Sequence, residues 1–141
     1  MRDTNKALIG ALVAVVGWTV IFFTLLNWWA VSTAGERAVS PIGLVARELE
    51  QTAPTLIYFF LVGLVLGRLL GPGAGATWAL LAAAVAMSIH ASLMQQIFPG
   101  GFDFLAAVLL AIDHLLPLVL AIAGAATSRL WRRTTSDADP T

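Results

Sequence analysis

The sequence predicts an all-α integral membrane protein, a four-helix bundle within a single domain that covers residues 1–133. Hydrophobic residues make up 59% of the 141 residues and charged residues 11%, with a mean hydropathy of +0.87, whereas a soluble domain has about 25% charged residues. Four apolar stretches are each long enough to cross about 30 Å of hydrocarbon. These stretches lack the polar and apolar alternation of a membrane β-barrel.

The first two predicted helices cover residues 7–31 and 55–70. The first contains no ionisable side chain and ends near Trp28 and Trp29, which are typical of the membrane interface. The second is short for a membrane span, and the sequence Gly71-Pro72-Gly73 predicts its end.

The other two predicted helices cover residues 74–94 and 102–127, separated by a turn at residues 98–101 that contains Pro and Gly. The polar segment 134–141 is predicted to be a flexible tail.

The first extracytoplasmic loop, residues 32–51, is the one sizeable polar segment between the predicted helices. Pro41 after Ser40 suits a helix start, and Ile42, Val45 and Leu49 follow at helical spacing. This pattern predicts a short amphipathic helix on the membrane surface. A plain solvated connection explains the same residues equally well.

The distribution of basic residues predicts that both termini are cytoplasmic, in the cell (inner) membrane. One side of the predicted topology carries Arg37 and Arg47, and the other carries six basic residues. These six are Arg2, Lys6, Arg68, Arg129, Arg132 and Arg133. Basic residues in short flanks tend to remain in the cytoplasm.

Small residues on the second helix predict a close helix contact. Gly63, Gly67 and Gly71 recur every fourth residue and therefore share one face. Such a face serves either packing within the bundle or contact with a second copy or another membrane protein.

Three ionisable side chains lie well inside the predicted helices: His90, Asp113 and His114. Asp113 lies about 15 Å into the fourth helix and His90 about 10 Å from the same turn, so side-chain reach is needed to bring them together. Pro117 leaves the Asp113 carbonyl without its usual helical donor. A polar, kinked region of this kind suits a proton or ion site, although a protonated Asp113 that only joins helices explains it too.

A metal or haem site is a further prediction from the same region. Met87 and Met94 flank His90 on one helix face, and two thioethers with an imidazole suit copper(I). His90 and His114 are also candidate axial ligands of haem b. Ordinary packing accounts for these methionines and histidines as well.

The leading functional prediction is a non-enzymatic accessory or assembly subunit of a membrane complex. It would contact a membrane-protein partner or a second copy through the Gly63/Gly67/Gly71 face or the 32–51 loop, within the lipid bilayer. The alternatives are a proton- or ion-coupled carrier or channel that uses Asp113 and His90, and a redox subunit with haem or copper. No hydrolase, phosphate-loop or zinc-protease motif occurs, and the balance of 8 basic against 8 acidic residues gives no reason to expect a nucleic-acid partner.

Overall fold

A computed structural model describes residues 2–32, 41–97 and 104–136. These residues form four α-helices: α1 (Arg2–Ser32), α2 (Pro41–Leu70), α3 (Pro72–Ile97) and α4 (Phe104–Ser136). Each contains a segment long and apolar enough to span a membrane, namely Thr4–Leu25, Thr52–Leu70, Pro72–Leu93 and Ala111–Leu130. The prediction of an all-α fold with four such helices is confirmed.

Helix α2 differs from the sequence prediction because it is continuous from Pro41 to Leu70. The sequence predicts a short helix in the loop and a separate helix from residue 55. Pro54 lies inside α2 and removes one backbone hydrogen bond, to the carbonyl of Glu50, which a long helix tolerates. The side chains of residues 41–51 lie outside the described part, as do the 98–101 turn and all backbone of residues 33–40 and 137–141.

Helix α4 is also longer than predicted, because it continues to Ser136. It therefore passes the predicted end at residue 127 and includes the first three residues of the segment predicted as a tail.

The tightest contact in the bundle joins α2 and α4, which run in the same direction. A Cβ atom on Gly63 would overlap the carbonyl oxygen of Ala121, and one on Gly67 would lie 2.9 Å from the Cα atom of Ala125. Helix α3 runs antiparallel to both. Helix α1 packs on α2 and α3, where Ala11, Ala14 and Ala82 form a small apolar cluster.

The turn between α2 and α3 consists of Gly71, whose φ angle of +89° lies in the left-handed region. The Gly71 carbonyl accepts a 2.7 Å hydrogen bond from the amide of Gly75, so this residue ends α2 and also begins α3. Pro72 follows at the first position of α3, where the absence of an N–H has no cost. A Cβ on Gly75 would overlap the backbone of Gly67, which explains why the two helices can turn so closely.

The bundle has two chemically different ends. We call them the Gly71 end, where α2 meets α3, and the Thr52 end, where the apolar segment of α2 begins. Lys6, Arg68 and Arg129 lie toward the Gly71 end, because they occupy the start of α1 and the ends of α2 and α4.

Candidate functional site

A hydrogen bond between α2 and α4 forms the centre of the candidate site. Thr52 Oγ1 donates to Asp113 Oδ1 over 2.5 Å. Thr52 is 5% exposed and is the first residue of the apolar segment of α2. A half-buried carboxyl group therefore meets a buried hydroxyl group from the neighbouring helix.

Two imidazole rings lie beside this hydrogen bond. His90 of α3 and His114 of α4 stack with 5.2 Å between ring centroids and 9° between ring planes. His90 is 7% exposed, whereas Asp113 and His114 are half-buried. Asp113 and His114 both interact electrostatically with His90. We refer to Thr52, His90, Asp113 and His114 as the polar cluster.

The members of the polar cluster lie at one depth in the bundle. Thr52 precedes Leu70 by 18 residues and His90 follows Pro72 by 18 residues, which is about 27 Å along each helix. Asp113 precedes Arg129 by 16 residues, about 24 Å. Counting from the turn after α3 predicts different depths for Asp113 and His90, but that count depends on residues 98–103, which lie outside the described residues.

Aromatic rings pack against His90 and extend from it toward the Gly71 end, since Phe59 follows Thr52 in α2 and Trp18 precedes Phe22 in α1. The ring of His90 lies 4.8 Å from that of Phe22 and 5.8 Å from that of Trp18, between centroids. Trp18 also contacts Phe59 at 6.5 Å. Trp18, Phe59 and Pro117 are among the largest fully buried side chains. We call Trp18, Phe22 and Phe59 the aromatic layer.

The indole nitrogen of Trp18 is a buried polar atom within this layer. It has no hydrogen-bond partner among the described residues. Buried donors of this kind are normally satisfied by a side chain or an ordered water molecule. A polar ligand that reached His90 would therefore find a donor group nearby.

The predicted packing glycines have two different roles. Gly63 and Gly67 lie against α4, and Gly124 of α4 lies against the backbone at Phe60 in return. Gly71 does not belong to this contact, since a Cβ there would meet no atom within 4 Å. Glycine is favoured at this position because the φ angle is positive.

Most other hydroxyl groups bond within their own helix. The described residues of this kind, each bonded to a carbonyl four residues earlier, are Thr19, Thr24, Thr77, Ser88, Ser92 and Thr127. Tyr58 resembles Thr52 in reaching another helix, because its hydroxyl donates to the carbonyl of Ala14 over 2.6 Å. Thr52 thus differs from an ordinary membrane threonine by bonding to an ionisable group.

The predicted cofactor ligands fit the structure less well than a proton site does. The porphyrin plane of a haem with two axial histidines must pass between the imidazoles, and the rings of His90 and His114 stack on each other. Met87 is buried next to the aromatic layer, and the side chain of Met94 lies outside the described part. Within the described ranges, no three His, Cys, Asp or Glu side chains are grouped as metal ligands would be.

Thr52 and the aromatic side chains are members of the site that the sequence analysis did not include. A usable signal is present, because Thr52 and His90 are equally far along the chain from the turn at Gly71. Nothing local in the sequence shows that α2 and α4 pack directly against each other, which is what brings Thr52 to Asp113.

Comparison of the chain with protein-family models, curated proteins and solved structures finds no match. The functional conclusion therefore depends on the chemistry of the polar cluster. A carboxyl group and two imidazoles can bind and release protons, imidazole near neutral pH, and the hydroxyl group can hydrogen-bond to them.

Proposed function

We propose that this protein is a multi-pass membrane protein that acts as a proton-coupled carrier or channel, with the polar cluster as its proton-binding site. Its Gly71 end and both termini face the cytoplasm. Large apolar side chains exposed on all four helices support the membrane location. Examples are Leu12, Val16, Leu61, Val65, Leu81, Val85, Val119 and Ile122.

One observation carries the proposal: the charged and imidazole side chains of the described residues fall into two groups. Lys6, Arg68 and Arg129 lie toward the Gly71 end, where the basic residues of a cytoplasmic face are expected. His90, Asp113 and His114 lie together inside the bundle. Ionisable groups inside a membrane are costly, at about 2.5–3.5 kcal/mol for a central charge, and usually mark ion or proton pathways.

Each member of the cluster has a chemical role in this proposal. Asp113 takes up a proton on its carboxylate and returns to the ionised form when the proton leaves. Thr52 donates a hydrogen bond that stabilises the ionised carboxylate. His90 and His114 stack beside Asp113, so a positive charge on one imidazole repels a charge on the other and attracts the Asp113 carboxylate.

Proton flux in proteoliposomes tests the proposal. Purified protein is reconstituted with an internal pH-sensitive dye, and a potassium diffusion potential drives proton entry. The wild-type protein should acidify the lumen faster than empty vesicles. Asp113→Asn should insert and fold normally but abolish this flux, because Asn keeps the size of the side chain and cannot titrate.

Thr127→Val is the matched control, since Thr127 is exposed and bonds within its own helix; its flux should equal that of the wild type. Infrared difference spectra provide a second measurement. A carboxylic C=O band that appears on acidification and is missing in Asp113→Asn would assign the proton to Asp113. Equal flux in Asp113→Asn and wild type, or no flux in either, would reject the proposal.

An accessory or assembly subunit is the second candidate function, and one observation bears on where a partner would bind. Gly63 and Gly67 are used inside the bundle, against α4. The exposed face of α3 instead contains a shallow groove of about 470 Å³ lined by Ala84, Ser88, Ser92 and neighbouring apolar residues. Blue-native electrophoresis after crosslinking from Ser88→Cys should capture a partner or a second copy. A monomer that crosslinks to nothing would reject this candidate.

A further inference from the structure

The two helices that hold the Thr52–Asp113 hydrogen bond are both interrupted by a proline close to it. Pro54 lies two residues after Thr52 in α2, and Pro117 lies four residues after Asp113 in α4. Each proline removes a backbone hydrogen bond, to the carbonyl of Glu50 in α2 and to that of Asp113 in α4. Both helices are therefore weakened on the same side of the polar cluster.

Because α2 and α4 run in the same direction, the two prolines interrupt their helices on the same side of the Thr52–Asp113 hydrogen bond. In both helices the segment before the proline points to the Thr52 end. Thr52 and Asp113 lie in these two segments, so their hydrogen bond joins one segment to the other beyond the weak points. Proline positions of this kind are the usual places at which helices bend.

The Gly71 side of the prolines is built differently. There, Gly63 and Gly67 bring α2 into backbone contact with α4, and Ala121 and Ala125 are fully buried between them. The aromatic layer fills the space between this contact and the polar cluster. Movement that separates α2 from α4 is therefore easier at the Thr52 end than at the Gly71 end.

We propose that the Thr52 ends of α2 and α4 form a proline-hinged gate, which the Thr52–Asp113 hydrogen bond holds closed and which opens when Asp113 is protonated. This inference rests on the proposed proton-binding function. The aromatic layer keeps the site closed toward the Gly71 end, so protons enter and leave from the Thr52 side in this arrangement of the bundle.

The pH response follows from the groups that face Asp113. Among the described residues, Thr52 of α2 donates to Asp113, His90 of α3 interacts with it electrostatically, and His114 is its neighbour in α4; α1 contributes the uncharged rings of Trp18 and Phe22, which pack against His90. A hydrogen bond to an ionised carboxylate is about twice as strong as a neutral one. Uptake of a proton by Asp113 therefore weakens the link between the two segments, and loss of the proton restores it.

Distances between spin labels test the gate directly, because the chain contains no cysteine and labels can be placed at will. One pair, Ala53→Cys with Ala111→Cys, reports on the Thr52 end. A control pair, Leu69→Cys with Leu130→Cys, reports on the Gly71 end, where both leucines are exposed. Distances are measured by pulsed electron paramagnetic resonance in lipid nanodiscs at about pH 4, where an ordinary aspartate side chain is partly protonated, and at about pH 8.

Acidification should lengthen the Ala53–Ala111 distance by a few Å and raise the separated population about five-fold, with no change in the control pair. Asp113→Asn should show the acidic distance at both pH values, because its amide cannot form the charge-assisted bond. Pro54→Ala restores a backbone hydrogen bond in α2 and should reduce the pH-dependent change.

Infrared spectra of the labelled protein separate the two proposals. If the carboxylic C=O band of Asp113 titrates and the Ala53–Ala111 distance does not change, the gate is rejected and the proton site stands. If Asp113 does not titrate between these pH values, the proton-binding proposal is rejected, and the gate that rests on it is rejected too. A pH-dependent change of equal size in the control pair would also reject the gate, because the movement would then not be confined to the Thr52 end.

Discussion

The Gly71 half and the Thr52 half of the bundle contain the same four helices but place different groups between them. In the Gly71 half, glycine and alanine residues allow the backbones of α2 and α4 to touch. In the Thr52 half, hydroxyl, carboxyl and imidazole side chains fill the same space. The aromatic layer separates the two halves.

This difference separates packing contacts that do not depend on protonation from polar contacts that do. Close backbone contact through small residues stabilises membrane helices by van der Waals packing, which does not depend on pH. Polar contacts between membrane helices are individually weak and depend on protonation. The four predictions that follow are ordered by the expected loss of unfolding free energy, measured by SDS titration of protein refolded in mixed micelles.

The largest loss is expected when the aromatic layer is emptied. Phe59 is 0% exposed and packs between Tyr58 and Trp18. Phe59→Ala should lower the free energy of unfolding by about 3–5 kcal/mol, because it leaves a cavity in the buried core. Phe23→Ala is the control, since Phe23 is 53% exposed, and its loss should be far smaller. Similar losses in both variants would show that the layer does not support the bundle.

The next largest loss is expected in the close contact between α2 and α4. A Cβ on Gly63 would overlap the Ala121 carbonyl, which is backbone and cannot rotate away. Gly63→Ala should therefore destabilise the protein by about 2–3 kcal/mol. Gly73→Ala introduces the same methyl group where no atom lies within 4 Å, so its stability should be unchanged or slightly higher. Unimpaired stability of Gly63→Ala would contradict the contact.

The turn at Gly71 should give an intermediate effect. Its φ angle of +89° is unfavourable for residues with a Cβ, so Gly71→Ala should cost about 1–2 kcal/mol. Asn adopts left-handed conformations more readily than Ala. Gly71→Asn should therefore lose less stability, and an equal loss in both variants would point to a cause other than the φ angle.

The smallest stability change is expected from the polar cluster itself. Thr52→Val removes the hydrogen bond to Asp113 and should cost about 1 kcal/mol, within the range measured between membrane helices. Thr127→Val removes a hydroxyl that bonds within α4 and should cost less than half as much. The effect on proton flux should show the opposite order to the stability effects, with Thr52→Val impaired in flux and Gly63→Ala active wherever it folds. A Thr52→Val variant with normal flux would remove Thr52 from the site.

Hydropathy and local turn chemistry were sufficient to predict part of this molecule. The four apolar segments follow from hydropathy alone, because the length of an apolar run does not depend on how the helices pack. The end of α2 follows from Gly71 and Pro72, which act on their own backbone. The sequence predicts a separate helix from residue 55, because proline usually ends or begins a helix. In the structure Pro54 removes only one backbone hydrogen bond, and α2 continues on both sides of it.

The relations between helices were decided by the tertiary structure. His90, Asp113 and His114 stand out in the sequence as ionisable groups among apolar residues, but their depths and partners depend on how each helix is rotated and shifted against the others. Gly63, Gly67 and Gly124 fix that register between α2 and α4, and the register brings Thr52 to Asp113. The sequence by itself determined which segments are helical and apolar, because those properties are local. The polar cluster is a property of three helices packed together, because its hydrogen bond and its ring stack each join residues far apart in the chain.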